Sequence, residues 1–185
     1  MPINALTNTN VGLAKRIKTP VTITNLETSQ TVNILGVWDT GAESSVLRQD
    51  IVDKLNLKQR GYKTIIGVTG QSIRNTYFAN LKLNNQDISL DMEITGVDSF
   101  SSDPREAMLI GMDVIQQGDF SISNYEGKTV MTFRRPSQRK IDYCEETELY
   151  NKYLKIHQTM IKHGNNKCPC NSGRLWEKCH GKIVE

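Results

Sequence analysis

A single aspartate at the end of an apolar run is the first residue in this sequence whose setting could do chemistry. Asp39 follows the run from Val32 to Trp38 and precedes Thr40 and Gly41. A carboxylate placed directly after a buried strand is costly unless a partner or a reaction uses it. Glycine permits a tight turn, so neighbouring backbone N–H groups can point at the carboxylate. The tripeptide is also ordinary surface-turn chemistry, so by itself it leaves a catalytic and a structural role open.

A second candidate site lies near the C-terminus, where Cys168, Cys170, Cys179 and His180 fall within 13 residues. Three thiolates and one imidazole are a donor set that suits tetrahedral Zn²⁺. Because four protein ligands leave no open position, we expect a structural rather than a catalytic metal. The turn at Ser172-Gly173 would bring the two ligand pairs together. The tail is too short to fold by burial alone, so metal binding would supply its folding free energy.

Two further motifs accompany the Asp-Thr-Gly turn. One is a glycine-bracketed polar tip between two strand-like runs, and it consists of Gly67, Val68, Thr69 and Gly70. The other is the apolar-apolar-glycine segment Leu109-Ile110-Gly111. Together with the apolar strand before Asp39, these motifs favour a catalytic turn over a surface turn.

In order and spacing, the segments WDTGAESSVL (38–47), IIGVTGQSI (65–73) and MLIGMDVI (108–115) resemble the retroviral-type (retropepsin-like) aspartic proteases. The resemblance implies a small closed β-barrel and assigns catalysis to Asp39. It gives support of the active site to Thr40, Gly41 and Ala42. It also implies that the polar tip is a flap that binds the substrate, and that the segment ending at Gly111 braces the catalytic loop. Trp38 and Asp113 depart from the pattern, since an aliphatic residue and often a nearby arginine are expected there.

Hydrolysis by this route needs two carboxylates that share one proton. The chain contains one Asp-Thr-Gly sequence, so the dyad would pair Asp39 with Asp39 of a second copy across a twofold axis. Ala42 cannot donate a hydrogen bond to the carboxylate, as serine at this position could. Because such a bond would favour the charged form, we expect the pair to keep its shared proton to higher pH and the enzyme to be active near neutral pH. The prediction is a homodimeric aspartic endopeptidase that acts on polypeptides. The alternative is a non-catalytic adaptor that dimerises or binds peptides through the β-domain.

Hydrophobic periodicity predicts a mainly β protein with a helix after the barrel. Alternating apolar residues predict a β-hairpin over residues 79–94 with a turn at Asn84-Asn85, and further strands at AMLIG, FSIS and TVMTF. The run VNILGVW (32–38) is typical of a strand buried on both faces. Helical spacing is predicted over 44–57 and 141–163. The predicted domains are a retropepsin-like domain (15–136), a helical linker (137–164) and a zinc-binding module (165–185).

Composition excludes several functional classes. No run approaches the ~18 consecutive apolar residues of a membrane helix, and the N-terminus lacks the apolar region of a secretory signal. The net charge of +3 does not by itself indicate nucleic acid. Three of the four cysteines cluster, which favours reduced, metal-binding thiols and a cytoplasmic location.

The Cys/His tail resembles the SEC-C zinc-binding motif. The resemblance implies contact with a protein partner. A basic face with Trp176 offers RNA as a second, less favoured partner. Outside the motif, we expect Cys144 to be a small buried residue. We expect His157 to be solvated, on a helix whose apolar face carries Leu149, Tyr153, Ile156 and Met160.

Overall fold

Strands dominate the computed structural model, which describes residues 2–67, 70–83 and 87–184. The chain divides into two compact units, Met1–Gln138 and Arg139–Glu185. Val68 and Thr69 of the predicted flap tip, and the predicted turn at Asn84-Asn85, lie outside the described residues. Within the described ranges, none of the helices has the length and apolar character to cross a membrane.

The first unit contains all ten described strands and two short helices. The strands are Asn4–Thr9 (β1), Lys18–Thr24 (β2), Thr31–Trp38 (β3), Val46–Arg48 (β4), Gln59–Gly67 (β5), Gly70–Lys82 (β6), Ser89–Val97 (β7), Glu106–Ile110 (β8), Asp119–Tyr125 (β9) and Lys128–Arg135 (β10). The helices are Gln49–Lys54 (α1) and Met112–Ile115 (α2). The second unit contains the helix Tyr143–Lys162 (α3) and two 3₁₀ turns, Trp176–Lys178 and His180–Val184.

Six strands of the first unit close into a barrel. Their order is β2-β3-β8-β4-β7-β6, and pairing of β2 with β6 closes the ring. Closure protects the backbone edges of a small sheet from pairing with other chains. β5 pairs with β6 and is not part of the ring. The predicted fold class, a small closed β-barrel followed by an α-helix and a Cys/His module, is confirmed.

Alternating side chains of β6 and β7 fill the barrel. Ala79, Leu81, Leu90 and Ile94 are buried on one face of this hairpin, and Leu81 lies opposite Leu90 in the antiparallel register. Because successive residues of a strand point to opposite faces, this period of two places one apolar face in the core. The predicted hairpin is therefore confirmed at its strands.

The helix predicted over 44–57 is wrong in its first part. Val46–Arg48 forms β4, which pairs with β7 on one side and β8 on the other. The fully buried Leu47 belongs to this strand, whereas Ile51 and Leu55 lie on and just after α1. The spacing of four residues predicts a continuous helix, but the backbone of this segment pairs instead with the edges of two neighbouring strands, β7 and β8. Tertiary pairing overrides the local pattern here.

A second sheet, β1-β10-β9, covers one side of the barrel. β1 is not predicted from the sequence, because its residues are mostly polar and do not indicate the pairing with β10. Trp38 contacts the rings of Phe120 and Phe133 from this sheet at 5.1 and 5.3 Å. The prediction that β3 is buried on both faces holds only from Gly36 to Trp38, because its earlier residues are half-buried or exposed.

Asp119 anchors the end of the first unit. It binds Arg134 and the Ser137 hydroxyl, and its Oδ2 accepts the Gln138 N–H at 2.9 Å. The hydrogen bonds from Ser137, Gln138 and Arg134 lower the pKa of Asp119 to about 2 from its ordinary value of 3.8. A carboxylate with a lowered pKa stabilises the folded state above the unfolded pKa, and the contribution is lost as the pH falls through the folded pKa.

We expect Asp119→Asn to lower the free energy of unfolding at pH 7 by about 1–2 kcal/mol, since bonds to a charged acceptor are lost. The difference from the wild type should shrink between about pH 4 and pH 2, where the wild-type carboxylate protonates. Denaturant unfolding at several pH values measures this. Asp53→Asn, at an exposed position of α1, is the control. A constant difference down to pH 2 would contradict the assignment.

Candidate active site and metal centre

Asp39 lies at the exit of the barrel, immediately after β3. Its backbone N–H donates to the Ile110 carbonyl at 3.0 Å, so the parallel partner strand β8 fixes where the chain leaves the sheet. One carboxylate oxygen, Oδ1, accepts the Gly41 N–H at 2.9 Å. The side chain is half-buried, while Thr40 and Gly41 are exposed and Ala42 is half-buried. The carboxylate is therefore held in one orientation beside an open surface.

A hydrogen-bond network holds the loop after Asp39 from behind. Asp113 accepts the backbone N–H of Ser45 at 2.8 Å and its hydroxyl at 2.7 Å. The same hydroxyl oxygen accepts the Gly111 N–H at 3.0 Å, and the Met112 N–H donates to the Ala42 carbonyl at 2.8 Å. Residues 110–113 thus bind both ends of the 39–45 loop. The sequence pattern gives no signal for the role of Ser45, and Asp113 stands out there only as a departure from the family.

Gly111 is required by close packing. A Cβ at this position would lie 2.7 Å from the Ser44 carbonyl carbon and 2.9 Å from the Ala42 carbonyl oxygen. Both are backbone atoms of the catalytic loop, so a side chain could be accommodated only if the loop moved. The backbone at Gly111 is extended, with a φ of −89°, and the requirement is therefore space rather than a left-handed conformation. The segment 109–111 accordingly supports the loop and contributes no reacting group.

We expect Gly111→Ala to lower the free energy of unfolding by about 2–3 kcal/mol, because overpacking against backbone forces a shift of the loop. Any activity that depends on Asp39 should fall with it. Gly127→Ala is the matched control, since Gly127 has a φ of +71° but open space around it. Its cost should be only about 1 kcal/mol. Equal destabilisation of the two variants, measured by urea unfolding, would contradict the role of Gly111.

A pocket of about 470 Å³ opens beside Asp39. Its apolar lining includes Val37, Phe100, Leu109 and Ile122. Such an apolar cleft with a few polar groups is the usual form of a site that binds a ligand or side chain. Gly67 and Gly70 of the predicted flap pair at the ends of β5 and β6 and are not among the residues that line this pocket.

The Cys/His residues predicted to bind metal converge in the second unit. The ligand atoms of Cys168, Cys170, Cys179 and His180 all lie within 4.8 Å of one another. Nδ1 of His180 is 3.2 Å from one sulfur and 3.4 Å from another, and the Cys170 and Cys179 sulfurs are 3.6 Å apart. A tetrahedral zinc with Zn–S bonds of about 2.3 Å has ligand atoms roughly 3.8 Å apart. The four residues could therefore bind a metal ion.

The surroundings of the thiols shift their pKa values in opposite directions. A hydrogen bond with Ser172 lowers the pKa of Cys170 to about 6, whereas burial raises the pKa of Cys168. The turn between the ligand pairs uses left-handed backbone at Asn171 and Gly173, with φ of 61° and 73°. Asparagine and glycine are the residues that adopt this conformation at least cost.

Aromatic rings of helix α3 contact His180 of the cluster and the nearby Trp176. The His157 ring stacks on Trp176 at 4.6 Å with 16° between their planes, and Tyr153 contacts His180 at 4.6 Å. His157 is buried, so the prediction that it is solvated is wrong. Of the four residues predicted for the apolar face, Tyr153 and Met160 are half-buried, whereas Leu149 and Ile156 are exposed. The face that is buried is the one that the aromatic residues of the tail cover.

The prediction that Cys144 is buried is also wrong. It lies in the first turn of α3 and is exposed. The helix itself is confirmed, since Asp142 caps its N-terminus by accepting the N–H groups of Cys144 and Glu145. Gly164, with a φ of +75°, follows its end. The ring of Trp176 is half-buried and lies against His157 and Tyr150. RNA contact through a basic face with Trp176 stays a prediction.

No protein-family model and no curated protein matches this chain. Solved structures do. The EIAV protease complexed with the inhibitor HBY-793 is 24% identical over 58% of this chain and 91% of that chain, with a TM-score of 0.43. A retropepsin-like aspartic protease from Rickettsia conorii is 11% identical over 73% and 97%, with a TM-score of 0.48. The retroviral protease-like domain of Ddi1 from Leishmania major is 13% identical over 59% and 82%, with a TM-score of 0.40. These three structural neighbours are a retroviral protease, a retropepsin-like aspartic protease and a retroviral protease-like domain.

Proposed function

We propose that this chain is an aspartic endopeptidase that acts as a homodimer. The observation that carries the proposal is the setting of Asp39: its carboxylate leaves a buried strand, binds the Gly41 N–H and borders an open, apolar pocket. A surface-turn aspartate would not need the network of Asp113, Ser45 and Gly111 that holds this loop. The resemblance of the sequence around these residues to retropepsin-like proteases adds to the proposal.

In the proposed reaction, Asp39 of each chain contributes one carboxyl group to a pair that shares a single proton. The ionised carboxylate takes a proton from a water molecule, which attacks the carbonyl carbon of the peptide bond. The protonated partner donates its hydrogen to the carbonyl oxygen as the tetrahedral intermediate forms. The amine then leaves with a proton from the pair. The hydrogen bond from Gly41 orients one oxygen and leaves the other for water or the partner.

Strand β9 offers a surface on which two copies could pair. It pairs with β10 along one edge, and among the described residues its other edge has no partner strand. Between Phe120 and Tyr125 it carries none of the charged residues or prolines that commonly protect an edge strand. Ile122 of this strand borders the same pocket as Asp39. Antiparallel pairing of β9 with its copy would therefore bring the second chain to the edge of the pocket.

We propose that the Cys/His cluster holds a structural Zn²⁺ ion. Three distances between its ligand atoms, 3.2, 3.4 and 3.6 Å, are close to the edge length of a tetrahedral zinc site, and the donor set has three sulfurs and one nitrogen. With all four positions taken by protein, the ion would order the tail and α3 and take no part in hydrolysis. The ordered module would then present its exposed surface to a protein partner or to the substrate protein.

Subunit mixing tests the homodimer directly. Asp39→Asn chains, refolded together with an equal amount of wild type, should leave about half of the activity per wild-type chain, because mixed dimers lack one carboxylate. Gly127→Ala chains mixed in the same way should leave the activity unchanged or slightly altered. Full activity in the presence of excess Asp39→Asn chains would show that one chain suffices and would overturn the proposal.

A further inference from the structure

The pocket beside Asp39 has an uneven distribution of charge. Its floor is apolar, but one wall is the segment 14–17, which carries Lys15 and Arg16. Asp39 is the one carboxylate among the described residues that line the pocket. Apart from this group of the proposed dyad, the charged side chains among the described lining residues are Lys15 and Arg16. A peptide bound there would meet this wall directly beside the bond to be cut.

The two cations of this wall are not equivalent. Arg16 Nη1 donates to Glu106 at 2.6 Å and to Ser101 at 3.2 Å. Glu106 is only 2% exposed and also binds Lys18. Arg16 is thus held in place and its charge is offset from within the unit. It serves as a fixed part of the wall.

Lys15 has the opposite properties. It is exposed, and within residues 2–67, 70–83 and 87–184 it forms no ion pair. A lysine side chain is a flexible point charge that can reach several positions around its backbone. The backbone next to Lys15 is held in place, because the N–H of the preceding residue, Ala14, donates to the Thr129 hydroxyl at 2.9 Å. The ammonium group is therefore available to a ligand in the pocket.

We infer that the pocket selects polypeptides with an acidic side chain next to the scissile bond, and that Lys15 is the residue that determines this preference. The inference rests on the proposed function for the identity of the ligand as a peptide. The apolar floor formed by Phe100, Leu109 and Ile122 takes a neighbouring apolar side chain, while Lys15 binds the carboxylate. The preferred class is thus a peptide that combines apolar and acidic residues at the cut.

Binding and cleavage of matched peptides test the inference. Short fluorescent peptides with an apolar centre would carry Glu, Gln or Lys at each position in turn, and their affinity would be measured on the full-length Asp39→Asn dimer. At low salt, the best Glu peptide should bind about fivefold more tightly than its Gln counterpart, as expected for a partly exposed ion pair. The preference should weaken as the salt concentration rises. Cleavage of the same peptides by the wild-type protein, which retains Asp39, gives kcat/KM for each peptide.

Charge reversal identifies the residue. Lys15→Glu should remove the preference for Glu peptides and create one for Lys peptides. Lys54→Glu makes the same change of net charge at an exposed position of α1 outside the pocket, and it should keep the wild-type preference. Equal affinity for Glu and Gln peptides, or an unchanged preference in Lys15→Glu, would overturn the inference. A peptide preference without any cleavage by the wild type would support it and refute the proposed hydrolysis.

Discussion

Asp39→Asn should abolish proteolysis while leaving the protein folded. Both carboxylates of the proposed pair are replaced in the Asp39→Asn dimer, and we expect kcat to fall by at least about 10⁴-fold, because the amide can neither take a proton from water nor donate one to the carbonyl oxygen as a carboxyl group does. Asparagine has the same shape and its side-chain oxygen can still accept the Gly41 N–H, so the turn should persist. Cleavage of a denatured protein mixture, followed by mass spectrometry, is the measurement.

Two controls separate chemistry from folding. Asp91→Asn removes an exposed carboxylate of β7 and should retain full activity. Circular dichroism and sedimentation should show that Asp39→Asn has the secondary structure and oligomeric state of the wild type. If Asp39→Asn cleaves at the wild-type rate, hydrolysis does not involve this carboxylate. If neither protein cleaves any substrate although both are dimeric, the adaptor alternative is favoured.

Loss of one metal ligand should have the second large effect. Cys168→Ser is expected to weaken zinc binding at least about a hundredfold and to unfold the tail, since the free energy of metal binding is the folding free energy of such a module. Cys168 is the ligand most suited to this test because its side chain is only 3% exposed. Bound zinc is measured by elemental analysis, and amide hydrogen exchange reports the order of residues 165–184.

Cys144→Ser provides the matched control in the same unit. Cys144 is exposed and lies outside the ligand cluster, so its variant should bind one zinc ion per chain as the wild type does. Cobalt substitution gives an independent readout, because tetrahedral thiolate ligation has strong visible absorption. Undiminished zinc binding by Cys168→Ser, or equal loss in Cys144→Ser, would contradict the ligand set. Treatment of the wild type with a chelator should increase exchange in the tail but leave β6 and β7 protected.

Sequence patterns over a few residues predicted the structure correctly where one local effect, such as burial of one face or a helix cap, determines it. The period of two in β6 and β7 reflects a hairpin with one buried face, and the structure confirms it. The helix α3 begins at a capping aspartate, Asp142, and is followed by Gly164 in the left-handed conformation. The spacing of the four Cys/His residues was enough to predict that they converge, because a short turn between two closely spaced ligand pairs can adopt few conformations.

Pattern failed where distant segments compete for the same residues. The backbone of Val46–Arg48 was expected in a helix, yet β7 and β8 bind it from both sides. His157 was expected in solvent because a polar residue on a helix is usually exposed, but the ring of Trp176 covers it. The polar strand β1 carried no signal, since its partner β10 is more than a hundred residues away.

The amino-acid sequence by itself determined the chemistry that this protein carries: a carboxylate in a glycine turn, a set of sulfur and nitrogen donors, and strands with one apolar face. These depend on residue type and on spacing over a few residues, which a chain specifies locally. Only the tertiary structure decided how Asp113 and Gly111 hold the Asp39 loop, and which cation of the pocket wall is left for a ligand. Such relations join residues far apart in the chain, so they arise from packing and hydrogen bonding across the barrel.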